Sequence, residues 1–219
     1  MSIFSKLFGG VEVFTPFLDE YFEKRAQHAN ELLRAAPKRE IPGFAVVEEH
    51  EGGMGRVLIA RSKGGLVAIK QLKPEKRGAQ AADQLMEEAA KLIGLDGMCH
   101  LVPEDVRASV LLEDCTVVLP YCVGGSLADR AAAGPLGAAE LAYYGFVLAA
   151  ELKELHSLGL LHLDLKPANV LLHKADQPNT FYRWRPLISD YGLSVYRQPG
   201  RPVPSLGGTP LFMSPEQLS

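Results

Sequence analysis

Near the amino terminus, apolar side chains recur at the spacing of a helix. Thr15 and Pro16 read as an N-cap followed by proline at the first helical position. The apolar stripe comprises Phe17, Leu18, Tyr21, Phe22, Ala26, Ala29, Leu32 and Leu33. The predicted solvent side carries Asp19, Glu20, Glu23, Lys24 and Arg25. We predict a helix over residues 16–36 that docks on the following domain, with binding to a partner or a membrane surface as alternatives. A linker over residues 36–43 follows.

From Phe44 the pattern changes to short runs rich in β-forming residues. The predicted strands cover residues 44–47, 56–61, 66–70, 107–112 and 116–119. A strong helix former over residues 79–93 interrupts them, with Leu85, Ala89, Leu92 and Ile93 spaced for a buried stripe. This order predicts a small β-rich lobe that contains one helix.

The second half of the chain is dominated by a long amphipathic helix over residues 137–158, which Gly159 ends. Its predicted buried stripe consists of Leu141, Tyr144, Val147, Leu148, Leu152 and Leu155. Two short buried strands follow at residues 170–172 and 187–189. The segment between them, residues 174–185, contains Trp184, and we interpret it as a surface hairpin rather than a docking site.

Composition excludes several classes of protein. The chain is 47% hydrophobic and 22% charged with a formal charge of −3, so no polybasic region indicates nucleic acid as a partner. The three cysteines form no CxxC pair and are interpreted as reduced. No apolar run has the length of a signal peptide core or a membrane span, and we expect a cytoplasmic protein.

The candidate chemistry centres on residues 162–172, HLDLKPANVLL. Pro167 restricts the backbone between Asp164 and Asn169, which predicts a rigid loop entering a buried strand. Asp164 is suited to orient a hydroxyl group and accept its proton, and Lys166 to neutralise charge on a transferred group. Asn169 is suited to hold a metal through its amide oxygen.

Three other stretches have chemistry that suits phosphate binding. Glycines at residues 52, 53 and 55 permit a tight turn whose amides can approach phosphate oxygens. Lys70 ends an apolar strand, where an ammonium held by a carboxylate can contact phosphates. Asp190 ends a later strand and precedes Tyr191-Gly192, where a carboxylate can bind Mg²⁺.

Residues 162–172 resemble the catalytic loop of eukaryotic-type protein kinases in the serine/threonine form. The resemblance extends in order through the Gly-rich turn, Val67-Ala68-Ile69-Lys70, the loop itself, Asp190-Tyr191-Gly192 and Ser214-Pro215-Glu216. It implies an ATP- and Mg²⁺-dependent kinase that acts on a protein substrate. The implied fold is α+β, with a β-rich N-lobe over residues 44–121 and a partial helical C-lobe over residues 122–219, after an N-terminal extension over residues 1–43.

The resemblance also implies roles for individual residues. The implied catalytic residues are Asp164, Lys166 and Thr209, where Thr209 hydrogen-bonds the other two. The implied metal ligands are Asn169 and Asp190. The implied nucleotide-binding residues are Gly52, Gly55, Val57, Ala68, Lys70, Glu88, Leu119 and Cys122. Glu88 is expected to hold Lys70, with the adjacent Glu87 in reserve. Leu119 is expected at the rear pocket, and the backbone of Cys122 in the hinge that binds adenine.

The sequence departs from the family pattern in several places. His50 replaces the first glycine of the turn, and Tyr191 replaces the usual phenylalanine. Leu163 replaces an arginine that pairs with phosphate, so phosphorylation at Ser205 or Thr209 is not expected to be required through that pocket. The chain ends just after Glu216, where the family fold continues, and we interpret it as a fragment of a longer protein.

Two alternatives to a kinase remain. His50 and the short C-terminal lobe favour a catalytically weak or inactive scaffold that resembles a pseudokinase and binds nucleotide. A small-molecule phosphotransferase of similar fold is disfavoured, because that class lacks the segment from Thr209 to Glu216.

Overall fold

The computed structural model describes residues 16–51, 55–72, 83, 87–88, 90–91, 109–111, 116–174, 184–198, 200–203 and 207–218. Gly52, Ser205 and most of the predicted helix over residues 79–93 lie outside these ranges. Among the described helices, none is both long enough and apolar enough to cross a bilayer.

The described elements combine a β-sheet with a separate group of helices, which confirms the predicted α+β class. The helices are α1 (Pro16–Arg34), α2 (Leu127–Ala132), α3 (Ala138–Ser157) and α4 (Pro215–Leu218). The strands are β1 (Arg39–Ile41), β2 (Phe44–Glu51), β3 (Gly55–Ser62), β4 (Gly65–Leu72), β5 (Ser109–Leu111), β6 (Thr116–Pro120), β7 (Leu160–Leu161), β8 (Val170–Lys174), β9 (Trp184–Ile188) and β10 (Val195–Tyr196). Short 3₁₀ helices cover Pro167–Asn169, Tyr191–Leu193 and Pro210–Phe212.

The first six strands form one antiparallel sheet in the order β1-β2-β3-β4-β6-β5. Strand β1 lies inside the predicted linker, where Arg39 pairs with Val46 and Ile41 with Phe44. Strands β2 and β3 are longer than predicted because their pairing continues through polar residues, as between His50 and Val57. Polar side chains at an exposed strand end cost little, so hydrophobic alternation underestimates strand length.

The sheet buries apolar side chains on both faces. One face holds Val46, Leu58, Ala60, Ile69 and Val118. The other face contributes Val47 and Ile59, which pack against Leu32 of α1. The helix thus covers part of the sheet, as its apolar stripe predicted.

In the helical part, α3 packs against the loop and strands that follow it. Leu155 of α3 forms a buried cluster with Leu160, Ile188 and Tyr191. Leu141, which was predicted to belong to the buried stripe, is instead 52% exposed. The position of a residue on a helical stripe determines only the direction in which its side chain points. Whether the side chain is buried depends on the element that packs beside it.

The segment Tyr121–Gly125, called the hinge here, connects β6 to α2. Its N-terminal end bonds to the sheet through Tyr121 N–H and the Leu66 carbonyl (3.4 Å). Its C-terminal end bonds to β8, where Gly124 N–H donates to the Leu172 carbonyl (3.1 Å) and Leu172 N–H to the Gly125 carbonyl (2.8 Å). The hinge is therefore anchored on both lobes.

Three predictions about α1 and its neighbourhood were wrong. Arg25 was assigned to solvent, but it is half-buried and bonds to the hinge. Leu33, assigned to the stripe, is 43% exposed. Strands β8 and β9 pair as a hairpin, but Trp184, which was assigned to its surface, is half-buried and stacks on Phe22 of α1 with ring centroids 4.2 Å apart; residues 175–183 lie outside the described ranges.

Candidate active site

The loop over residues 162–169 is held in place by His162, which is buried between the loop and strand β9. Its Nδ1 accepts a hydrogen bond from Asp164 N–H (3.3 Å), so the proton lies on Nε2, 2.9 Å from the Ser189 carbonyl. Burial lowers the pKa of His162, so the ring is neutral at physiological pH. The imidazole therefore joins the loop to Ser189, the residue before Asp190.

Asp164 lies at the centre of a network with Lys166, Asn169 and Thr209. Lys166 Nζ donates to Asp164 Oδ2 and to Thr209 Oγ1, both at 2.7 Å. Thr209 Oγ1 in turn donates to Asp164 Oδ1 (2.8 Å). Asn169 Nδ2 donates to the Asp164 carbonyl (2.9 Å) and to Oδ2 (3.1 Å). The three side chains of the loop and the threonine distant in sequence thus form one group.

These contacts determine the charge of Asp164. Burial would raise the pKa of its carboxyl, but the hydrogen bonds from Lys166 and Thr209 outweigh burial and hold the pKa below its ordinary value. The carboxylate is therefore ionised at neutral pH. An ionised, partly exposed carboxylate beside an ammonium is suited to orient a hydroxyl and receive its proton.

Lys70 lies near the end of β4 and contacts two carboxylates. Its Nζ is 2.7 and 2.8 Å from the two oxygens of Glu88 and 3.1 Å from Asp190 Oδ1. Burial would lower the pKa of Lys70, but the negative charges of Glu88 and then Asp190 outweigh it, so the pKa is raised. The predicted partner Glu88 thus holds the ammonium, whereas Glu87 pairs with Lys91 at 3.1 Å.

The two networks are joined through Ser189 and Asp190. The Ser189 N–H and hydroxyl both donate to the Asn169 carbonyl, at 2.9 and 3.0 Å. The next residue, Asp190, has a left-handed backbone (φ 64°) and turns its carboxylate to Lys70. Lys70 thus contacts Asp190, Asn169 contacts Asp164, and Ser189 joins the two pairs through the Asn169 backbone carbonyl. These four residues, with the side chains bonded to them, are called the polar centre here.

The remaining predicted binding residues lie on the sheet and in the hinge. Gly55 begins β3, and Val57 pairs with Lys70 across β3 and β4. Ala68 pairs with Leu119 of β6. Cys122 is buried in the hinge. Gly52 lies outside the described residues.

His50, the departure from the glycine pattern, lies within strand β2. It pairs with Val57 of β3, and its Nε2 is 2.9 Å from Glu48 Oε1. The strand therefore accommodates a side chain at this position without a break in pairing.

Sequence reasoning missed Lys91, which links the Glu88 helix to the segment after Asp190. Its Nζ is buried and donates to the Ser194 carbonyl at 2.6 Å. Lys91 follows Glu88 by three residues, so both project from one side of a helix. That spacing was the available signal, but nothing local indicated the carbonyl 103 residues away.

Leu163, which replaces the arginine of the family pattern, has a left-handed backbone (φ 65°). Its carbonyl accepts a hydrogen bond from Gln217 Nε2 of α4 (2.9 Å). The Thr209 hydroxyl is bonded to Asp164 and Lys166, so this threonine lies within the polar centre. Ser205, the other suggested phosphorylation site, lies outside the described residues.

Asn169 and Asp190 provide the oxygen atoms that a hard divalent cation prefers. Asn169 is buried, and its two donations to Asp164 fix the orientation of the amide. The Asp190 side chain is 49% exposed, so its carboxylate is accessible. An amide oxygen and a carboxylate that leave several coordination positions to water and phosphate suit Mg²⁺.

The chain was compared with known protein families and characterised proteins. Residues 50–219 match the family described as the protein kinase domain. Similar proteins include the ovarian-specific serine/threonine-protein kinase Lok of Drosophila melanogaster, 31% identical over 137 residues, which cover 62% of this chain and 27% of the relative. Serine/threonine-protein kinase PAK 4 of Homo sapiens is 27% identical over 186 residues, covering 84% of this chain and 29% of the relative. Calcium-dependent protein kinase 4 of Arabidopsis thaliana is 33% identical over 120 residues, which cover 53% of this chain and 23% of the relative. The chain thus spans less than a third of the length of these relatives.

Proposed function

Because the chain belongs to the protein kinase domain family, we propose that it transfers the γ-phosphate of ATP to serine or threonine hydroxyls of a protein substrate. The observation that carries the proposal is the shared polar centre. Its residues come from three separate parts of the chain: Lys70 contacts Asp190 at 3.1 Å, and Asn169 contacts Asp164 at 3.1 Å. Ser189, which precedes Asp190, joins the two pairs by donating to the Asn169 carbonyl at 3.0 Å. Phosphoryl transfer depends on positioning and charge placement, and such a centre supplies both.

In this proposal the sheet and hinge bind the nucleotide. Gly52, Gly55 and Val57 cover the phosphates, Ala68 and Leu119 lie beside the base, and the backbone of Cys122 bonds adenine. Lys70, held by Glu88, contacts the α- and β-phosphates. The domain division that follows is an N-lobe from residue 44 to 121 and a partial C-lobe from 122 to 219.

Asn169 and Asp190 would hold Mg²⁺, whose charge would offset that of the phosphates. Asp164 orients the substrate hydroxyl and accepts its proton as the oxygen bonds to the γ-phosphorus. The bond from that phosphorus to the bridging oxygen breaks, and ADP leaves. Lys166 neutralises charge on the transferred group, and Thr209 keeps Lys166 and Asp164 in place.

The decisive test replaces the proposed base. Asp164→Asn keeps the size of the side chain and one acceptor oxygen but removes the carboxylate that accepts the proton, so phosphotransfer to a mixed serine/threonine peptide library falls by about 10²–10⁴-fold. Binding of MgATP, followed by calorimetry, remains within a few-fold of wild type because Asp164 does not contact the adenine or the α-phosphate in this arrangement. Glu31→Gln, the same chemical change at a side chain 78% exposed on α1, is the control and leaves both values unchanged.

The alternative is a nucleotide-binding scaffold without transferase activity, as His50 suggests. A wild-type chain that binds MgATP but transfers no phosphate would favour the scaffold. A wild-type chain that binds no MgATP, or an Asp164→Asn variant with full activity, would contradict the proposed chemistry.

A further inference from the structure

Helix α1 precedes the part of the chain that matches the kinase domain family, which begins at residue 50. It nevertheless packs against the hinge and against both lobes. The family match therefore assigns it no role, and its contacts have to be interpreted from the structure itself.

Two side chains of α1 bond to consecutive hinge carbonyls. Arg25 Nε donates to the Val123 carbonyl and Tyr21 Oη to the Gly124 carbonyl, both at 2.9 Å. Arg25 Nη2 also donates to Tyr121 Oη at 3.3 Å. Tyr21 and Arg25 are four residues apart and so lie on one face of the helix. This face is aligned along the hinge backbone.

Apolar contacts anchor α1 on each side of the hinge. Near its N-terminal end, Phe22 stacks on Trp184 and is buried with Tyr144 and Leu172 of the helical lobe. Near its C-terminal end, Leu32 is buried against Val47 and Ile59 of the sheet. A rigid helix bound to both lobes restricts how far they can separate.

The apposition of α1 and the hinge is close. A Cβ atom added to Gly125 would lie 3.2 Å from Arg25 Cζ, and one added to Gly124 would lie 2.9 Å from Trp184 Cε3 and 2.5 Å from the Leu172 carbonyl. The glycines thus allow the helix and β8 to approach the hinge backbone from two sides. Little space is left for the hinge to shift.

The same helix also contacts the side of the sheet nearest the proposed adenine site. Ala68 and Tyr121 pack against the cluster formed by Leu32, Val47 and Ile59. Ala68 pairs with Leu119, and Tyr121 begins the hinge. Helix α1 therefore contacts the sheet wall and the hinge of the proposed base pocket, and no hydrogen bond or ion pair joins it to Lys70 or Asp190 among the described residues.

We propose that α1 is a positioning element for nucleotide recognition: Tyr21 and Arg25 hold the hinge backbone in the conformation that distinguishes adenine from guanine. This inference rests on the proposed function. A site built to hydrogen-bond one base rejects another because its polar groups are then left unpaired, and this rejection depends on the backbone being held in place. The phosphates of ATP and GTP are identical, so the ratio of their affinities isolates the base end of the site.

The experiment measures the dissociation constants of MgATP and MgGTP for the full chain by calorimetry. In Arg25→Met and in Tyr21→Phe, the preference for ATP over GTP falls by roughly three- to tenfold, the equivalent of one hydrogen bond. Arg25→Lys, which keeps the charge and N–H donors on a single nitrogen, restores part of the preference. Lys24→Met, at a side chain 72% exposed on the same helix, leaves the preference unchanged.

Lys70→Met is expected to show the opposite pattern, because it weakens the binding of MgATP and MgGTP equally and leaves the ratio of their dissociation constants unchanged. Thermal melting identifies variants that have lost the fold. If Arg25→Met does not fold, Tyr21→Phe, which removes only one oxygen atom, tests the inference alone. A wild-type chain that binds no MgATP overturns the proposed function. A wild-type chain that prefers ATP while Arg25→Met and Tyr21→Phe keep that preference overturns only the inference about α1.

Discussion

The polar centre and the interior of the helical lobe contain ion pairs of similar length with opposite exposure. Lys70–Glu88 and Lys166–Asp164 are both 2.7 Å long, and their lysines are 34% and 24% exposed. Arg130–Glu140 is 2.9 Å long, but its side chains are only 3% and 2% exposed. Distance alone does not distinguish these pairs. Exposure does, because only the first two leave a charged atom accessible to a ligand.

The polar centre and the interior of the helical lobe also differ in how many hydrogen bonds their cations make within the protein. Arg130 bonds both oxygens of Glu140 and also the Gly134 carbonyl, and it lies over the ring of Tyr21. The guanidinium of Arg130 makes its bonds to groups inside the protein, where it joins α2 to α3. Lys70 is instead shared by two carboxylates at the edge of an accessible centre. We infer that the buried pair serves the fold and the exposed pairs serve chemistry.

The largest expected effect comes from breaking the buried pair. Arg130→Met leaves Glu140 charged, buried and without its partner, and lowers the free energy of unfolding by about 3–5 kcal/mol. Urea denaturation measures the loss. The double variant Arg130→Met/Glu140→Leu recovers most of it, because neither charge then remains. A single variant as stable as wild type would show that the pair is not structural.

Glu151, a second buried carboxyl in α3, extends the comparison to the pH dependence of stability. It accepts the Ile188 N–H, and burial raises its pKa to about 7. Between its ordinary pKa and this value the folded chain binds more protons than the unfolded chain, so raising the pH destabilises the fold. Glu151→Gln removes this dependence, and its stability relative to wild type grows by about 2–3 kcal/mol from pH 5 to pH 8. If the free energy of unfolding changed with pH by the same amount in wild type and in Glu151→Gln, this assignment would be contradicted.

A smaller effect is expected where the polar centre is accessible. Thr209→Val removes the hydroxyl that bonds Asp164 and Lys166, so the pKa of Asp164 rises toward its ordinary value. The acid limb of the rate profile moves to higher pH, and kcat falls about tenfold, as for loss of a hydrogen bond to a charged group. Thr209→Ser keeps the hydroxyl and the wild-type profile. Stability changes little, in contrast to Arg130→Met.

Short-range pattern predicted much of the candidate site. The strand that carries Lys70, the loop from Asp164 to Asn169 and the strand before Asp190 follow from local runs of apolar and polar residues. The pairing of Lys70 with Glu88, and of Thr209 with Asp164 and Lys166, required the family resemblance. The structure contains each of these contacts.

The contacts that sequence reasoning missed join parts of the chain that no local pattern relates. Arg25 and its hinge carbonyl are 98 residues apart, and Lys91 and the Ser194 carbonyl are 103 apart. Arg25 is a charged residue of the kind expected on a solvent-exposed helix face. A backbone carbonyl is present at every residue, so the sequence of the hinge does not indicate which carbonyl Arg25 bonds.

The sequence by itself determined the main strands and helices and which residues carry chemistry, because both depend on side-chain type and short-range periodicity. It missed short strands such as β1, which form by pairing with a neighbouring strand. Only the tertiary structure decided which polar side chains face a ligand and which are enclosed. Leu141 and Arg25 had opposite expected environments, and both expectations were wrong, because burial depends on where other elements pack. The path of the backbone determines that packing.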